Sequence, residues 1–321
     1  MASMDRIPLA EIEAAADRLR SHVVRTPLTR LEGWGPAEIW LKAESLQSTG
    51  AFKVRGAGNA LSLADPDALR DGVVTASAGN MAQGVAWWAR RMGVACRVIV
   101  PEHAPRIKLN AIARLGAETI PVPFDRWWRT LVEGGHEDVP GFFVHPVSDR
   151  AVIAGNGTVG LEIIQDLPEV DTIIAPYGGG GLAAGVACAA KALRPQVKVL
   201  ACEVETAAPL TASLAAGRPM EIDHQASFVD GIGGKSVLKE MWPLVRSVID
   251  GTVVVTLEEI ADAIRILAER AHLVAEGAGG AALAAAISRH TEGGRVACII
   301  SGSNIDPATL ATILAGSSPT S

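Results

Sequence analysis

Short apolar runs of strand length alternate with helix-period segments along most of the chain. VVTA (73–76) leads into GNMAQGVAWWARRMG, whose helical stretch is expected to end at Gly93, a residue type that takes the left-handed turn after a last helical residue. ACRVIVP (95–101) leads into PRIKLNAIARLGAE, where Pro105 can open a helix and Gly116 can close it. ETIPV (118–122), a helical DRWWRTLVEG and the apolar GFFVHP complete the series. These short βα units predict a compact parallel-sheet subdomain over about 70–149.

The second half repeats the logic. DTIIAPY (171–177) meets a four-glycine run and an Ala-rich helix, followed by VKVLACE (197–203), TVVVT (252–256) and RVACIISG (295–302). Continuous β-branched runs of this kind mark strands buried on both faces. Thr256 and Glu259 have capping-box spacing and predict the start of the helix EEIADAIRILAERA. The expected fold is α/β, with two lobes built on open, mostly parallel sheets flanked by helices. One lobe comprises 1–69 plus 150–321 and the other 70–149.

Composition narrows the function classes. The chain has 321 residues, 49% hydrophobic and 20% charged, a globular balance that excludes wholesale disorder. A formal charge of −6 with no basic tract gives no electrostatic support for nucleic-acid binding. No uninterrupted apolar span of membrane length occurs, and MASMDRIPLAEIE has no signal-peptide core, so a cytoplasmic enzyme is expected. The Ala- and Gly-rich segments near 182–193 and 278–287 read as buried core helices. Cys96, Cys188, Cys202 and Cys298 are far apart without a CxxC, and read as buried free thiols.

Four segments carry candidate chemistry. In QSTGAFKVRGAGNAL (47–61), Lys53 has small neighbours, an adjacent aromatic and a nearby helix start. A desolvated amine with a lowered pKa is one reading, and a surface lysine on an amphipathic helix is the other. YGGGGLAAG (177–185) follows a strand and opens a helix, so several backbone N–H groups can converge on one anion. It is neither GxGxxG nor a Walker loop, and a glycine-rich packing turn is the alternative. TASAGNMAQG (75–84) presents Ser77, Gly79 and Asn80 at a strand end, and IISGSNID (299–306) presents Ser301. Such crevices are where α/β sheets bind ligands, although each turn alone is equally explained by local hydrogen bonding.

Taken in order, GAFKVRGA, SAGNMAQG, YGGGGLAAG, CEVE, DGIGG, EGAGGAAL and SGSN resemble the motifs of the fold-type-II pyridoxal-phosphate enzymes, whose fold is tryptophan synthase β-like. Within that family the resemblance is to the serine/threonine dehydratase and serine racemase group, and it runs from about His22 to Asp306. It implies pyridoxal 5′-phosphate as cofactor, an amino-acid substrate and a homodimer or higher homo-oligomer. Lys53 then resembles the Schiff-base lysine, Phe52 a neighbour packing on the cofactor, and Asn80 the asparagine that meets the pyridoxal 3′-oxygen. Gly178, Gly179, Gly180 and Gly181 resemble the phosphate loop, and Ser301 the residue facing the pyridine nitrogen. Ser77 and the backbone of Ala78, Gly79, Asn80 and Met81 resemble the loop that receives the substrate carboxylate.

The departures from the pattern are informative. Met81 stands where the family usually has histidine, and Ala78 where racemases carry a second serine on the cofactor face opposite the lysine. Arg129 falls where racemase-type members place a substrate-contacting arginine. Glu203 matches the first carboxylate of the family's divalent-cation site, but Pro209 replaces a second acidic ligand, so no metal is expected. Met81 with Trp127 and Trp128 suggests an apolar substrate pocket that would suit a bulkier 3-hydroxy amino acid such as phenylserine. Adjacent helical residues point about 100° apart, so at most one of the two rings would face a ligand. The implied reaction is β-elimination from a threonine- or serine-type amino acid, giving a 2-oxo acid and ammonia. Racemisation on the same fold and a non-catalytic anion-binding protein are the alternatives.

Overall fold

The computed structural model describes residues 4–34, 37–289 and 293–319. The chain begins with α1 (Leu9–Leu19), β1 (Leu28–Leu31), β2 (Glu38–Lys42) and α2 (Lys53–Leu63). The next elements are β3 (Val73–Ala76), α3 (Asn80–Met92), β4 (Cys96–Pro101), α4 (Arg106–Arg114), β5 (Glu118–Val122), α5 (Phe124–Glu133) and β6 (Phe142–Phe143). Then come α6 (Arg150–Asp166), β7 (Thr172–Pro176), α7 (Gly181–Leu193), β8 (Lys198–Val204), α8 (Pro209–Ala216) and α9 (Trp242–Val248). The chain closes with β9 (Gly251–Val255), α10 (Leu257–Arg270), α11 (Gly277–Arg289), β10 (Arg295–Ile299) and α12 (Pro307–Leu314).

Two sheets result. A six-stranded sheet runs β1-β2-β10-β7-β8-β9, parallel except for the antiparallel β1–β2 pair. A four-stranded parallel sheet runs β5-β4-β3-β6. Side chains alternate across each strand, and this splits the apolar runs between two cores. In the larger sheet Ile173, Ala175, Val199, Ala201, Ala297 and Ile299 pack with α1, α6, α7 and α9. Their neighbours Ile174, Cys202, Val204, Val296 and Cys298 pack on the other face with α10 and α11. In the smaller sheet Val73, Val98 and Val100 face α2 and α3, while Val74, Ala76 and Ile99 face Trp127 and Leu131 of α5.

Local signals act as their chemistry dictates. Gly93 ends α3 in the left-handed region at φ 69°, and Gly134 ends α5 at φ 72°. Thr256 and Glu259 form both hydrogen bonds of the capping box. Pro105 stands just before the first residue of α4 rather than within it. GFFVHP forms only the two-residue strand β6. Helices α6 and α7 touch backbone to backbone, since a Cβ on Gly185 would stand 2.5 Å from the Ile153 carbonyl. All four cysteines are free and buried. Among the described residues no helix is long and apolar enough to cross a membrane.

Candidate active site

Lys53 is the first residue of α2, preceded by the buried Phe52, whose ring centroid lies 5.2 Å from the Lys53 Nζ. The amine donates to the Pro146 carbonyl at 2.9 Å. Burial lowers its pKa from 10.5 to about 8, with no carboxylate offsetting it. Lys53 is partly buried rather than fully exposed, so of the two readings the structure is nearer the amine withdrawn from water.

Backbone pairing draws distant motifs to this point. The Phe52 N–H donates to the Ser301 carbonyl at 3.0 Å, Ala51 bridges Gly302, and the Glu276 N–H donates to the Gly302 carbonyl at 3.0 Å. Ser301 is buried at the end of β10. Val147, next to the carbonyl that holds Lys53, reaches the glycine run, because a Cβ on Gly179 would stand 2.5 Å from its methyl groups. Gly180 sits at φ 94°, a conformation that side-chain-bearing residues rarely adopt, and Gly178 packs on Gly231 and Ile232 of the DGIGG segment. Gly181 opens α7, and no side chain caps that helix. Its first N–H groups therefore remain available to an anion.

A second feature flanks this cradle. Both amide atoms of the fully buried Asn156 lack a hydrogen-bond partner, and Nδ2 lies 3.6 Å from where a Gly181 Cβ would be. Such orphaned interior groups are uncommon and point to a missing partner.

Asn80 opens α3. Its Nδ2 donates to Glu276 Oε1 at 2.7 Å, and its Oδ1 accepts from Asn304 Nδ2 at 2.8 Å. Ser77, Ala78 and Gly79 are partly exposed just before it, and the Ser77 hydroxyl accepts from the Gly79 N–H at 3.2 Å. Glu276 and Asn304 join the site only through the fold. Their signal was a carboxylate and an amide placed at the edges of the EGAGG and SGSN motifs.

Other singled-out residues lie elsewhere. Met81 is only 2% exposed and packs in the apolar core with Val54 and Val85. Arg129 is exposed on α5, and no contact joins it to Lys53 or Asn80. Trp127 packs against the Val74 and Ile99 face of the smaller sheet, and Trp128 is exposed. The tandem rings therefore add nothing to the apolar-pocket reading. Glu203 is buried, and its carboxylate accepts from the Leu210 and Thr211 N–H groups, both at 2.8 Å, and from the Thr211 hydroxyl at 2.7 Å. It serves as the N-terminal acceptor of α8. Burial raises its pKa, and these hydrogen bonds oppose the rise.

A lysine amine withdrawn from water and an uncapped, glycine-lined helix start are brought together through Pro146 and Val147. That combination defines an enzyme class suited to a phosphorylated carbonyl cofactor. The chain belongs to the family of pyridoxal-phosphate dependent enzymes, whose sequence pattern matches residues 19–302. Its cofactor is pyridoxal 5′-phosphate, and the free amine, the glycine cradle and the unpartnered Asn156 amide fit that group. The chain is similar to L-threonine ammonia-lyase of Geobacter sulfurreducens, with 40% identity over 315 residues covering 96% of this chain and 78% of the relative. Serine racemase of Homo sapiens is 35% identical over 316 residues, covering 94% of this chain and 92% of the relative. The structure of maize serine racemase superposes with a TM-score of 0.89 at 32% identity, covering 96% and 97% of the two chains.

Proposed function

We propose that this enzyme is an ammonia-lyase that eliminates the 3-hydroxyl of a threonine- or serine-type amino acid, giving a 2-oxo acid and ammonia. The observation that carries elimination over racemisation is Ala78, the partly buried residue between Ser77 and α3, whose methyl group has no proton to exchange. The 40% identity to a threonine ammonia-lyase supports the same reading. In this proposal the segment 70–149 is a substrate-loop lobe, and the rest of the chain is the cofactor lobe.

Bound pyridoxal phosphate supplies an electron sink for the pair left when the substrate α-proton departs. The chain's residues do the remaining work. Lys53 holds the cofactor and, once the substrate amine replaces it, accepts the α-proton at Nζ. The N–H groups of Gly178–Gly181 and the start of α7 bind the phosphate. Asn80 meets the 3′-oxygen, and Phe52 packs against the ring. Ser77 and the backbone of residues 78–81, at the start of α3, receive the substrate carboxylate. Ser301 presents a neutral hydroxyl to the ring nitrogen, which favours prompt loss of the 3-hydroxyl over a long-lived carbanion. The hydroxyl leaves with a proton as water, and hydrolysis of the released enamine yields the 2-oxo acid and ammonia.

Product analysis tests the assignment. Wild type on L-serine and L-threonine should give 2-oxo acid with negligible inverted amino acid. Ala78→Ser should raise α-proton exchange and racemisation about tenfold or more, within the usual contribution of one placed acid. Racemisation faster than elimination in wild type would overturn the proposal, as would a protein that stays colourless with the cofactor.

The amine's lowered pKa gives a second expectation. Only neutral Nζ attacks the cofactor aldehyde, so the visible band should form faster as pH rises through about 8. Stopped-flow absorbance against pH checks this, and a midpoint near the ordinary 10.5 would mean that the amine is solvated.

A further inference from the structure

Glu276 is a buried carboxyl that the reaction above leaves without a task. It stands one residue before α11, and a Cβ on Gly302 would lie 2.5 Å from its Oε1. Gly302 bridges Ala51, two residues before Lys53, so this carboxyl lies against the backbone that carries the lysine. Its hydrogen bond from Asn80 Nδ2 and the bond from Asn304 Nδ2 to Asn80 Oδ1 hold the Asn80 side chain at both ends. An asparagine amide has two N–H donors, and these contacts use one.

We propose that Glu276 is a positioning residue of the cofactor site, whose carboxylate fixes the Asn80 amide so that its second N–H faces the pyridoxal ring. This rests on the reading that Asn80 meets the 3′-oxygen. A carboxylate only accepts, so it selects the one amide orientation that turns Nδ2 toward it. A protonated carboxyl also carries a donor and no longer makes that selection.

Both states are accessible near neutral pH. Burial raises the Glu276 pKa from 4.5 to about 7, the Asn80 hydrogen bond opposes the rise, Asp230 adds to it and Lys108 of α4 opposes it. Asp230 and Lys108 are themselves ion-paired. The remaining groups against the carboxyl are the Asn304 backbone N–H and the uncharged Gly231 and Gly302.

The test titrates the full-length chain with pyridoxal phosphate, reading tryptophan quenching below and above the Glu276 midpoint of about 7. At the higher pH, Glu276→Gln should bind about five- to tenfold more weakly than wild type, the difference between a charge-assisted and a neutral hydrogen bond. At the lower pH the two should agree within about twofold. Titration of Lys53 affects both proteins alike and cancels. Glu276→Asp keeps an ionisable acceptor and should restore the pH dependence. In an Asn80→Ala background the Gln substitution should change nothing. Equal affinities of wild type and Glu276→Gln at both pH values would overturn the proposal, as would an undiminished loss in the Asn80→Ala background or no restoration by Asp. A wild type that takes up no pyridoxal phosphate would overturn the functional reading as well, which separates the two failures.

Discussion

Lys53→Ala should fold, stay colourless with pyridoxal phosphate and lose turnover by roughly 10⁴-fold or more, because in the proposed reaction one side chain is both covalent anchor and general base. Two other lysines are already engaged. Lys42 is buried and donates to Glu162 and the Thr26 carbonyl, and Lys108 is paired with Asp230. The fold should survive, because the Lys53 amine makes a hydrogen bond to one carbonyl and no ion pair. Borohydride treatment followed by mass analysis is the measurement. A variant that still fixes the cofactor covalently would place the anchor on another lysine.

The largest stability effect is expected two residues further along α2. Arg55 is 1% exposed and forms ion pairs with Glu44 at 2.8 Å and with Glu162 at 2.7 Å, while Lys42 pairs with Glu162 from the other side. Removing one member of a buried network leaves an uncompensated interior charge and costs about 3–5 kcal/mol. Arg55→Ala should lower the urea midpoint accordingly, and a loss below about 1 kcal/mol would show that water enters the site and solvates the carboxylates.

The network also sets an acid limit. Burial pushes the Glu44 carboxyl up, but the charges and hydrogen bonds of Arg55, together with Lys42 and Thr26, hold it below its ordinary 4.5 overall. A folded-state pKa below the unfolded one means that this stabilisation is complete above about 4.5 and is lost as pH falls toward the lower folded value. Arg55→Ala should reduce that acid dependence along with the midpoint.

How much of this was legible in the sequence follows from the range of each interaction. The strands at 73–76, 96–101, 172–176 and 198–204, the stop at Gly93 and the capping box at Thr256 all depend on residues within a few positions of one another. Lys53 at a helix start and four glycines between β7 and α7 were readable for the same reason. The order of seven motifs gave the family. The antiparallel β1–β2 pair escaped the pattern because β1 is mostly exposed and only four residues long.

The remaining features depended on where the chain crossed itself. Asn80 and Glu276 are 196 positions apart, Asn80 and Asn304 are 224 apart, and Lys42 and Glu162 are 120 apart. No local period encodes such partners. They meet because parallel strands require long crossovers, which return the ends of distant strands to one edge of the sheet. Glu203 was settled nearer by, since its oxygens accept from the N–H groups of Leu210 and Thr211, seven and eight positions on, at the start of α8. Tertiary packing decided Met81, whose place in a site motif gave no direction until α2 and α3 packed and closed it into the core. Sequence singled out the residues proposed to carry chemistry, because residue type and local geometry are set within a turn or a strand. Tertiary structure decided which of them meet and in which charge state, because burial and pairing belong to the assembled interior.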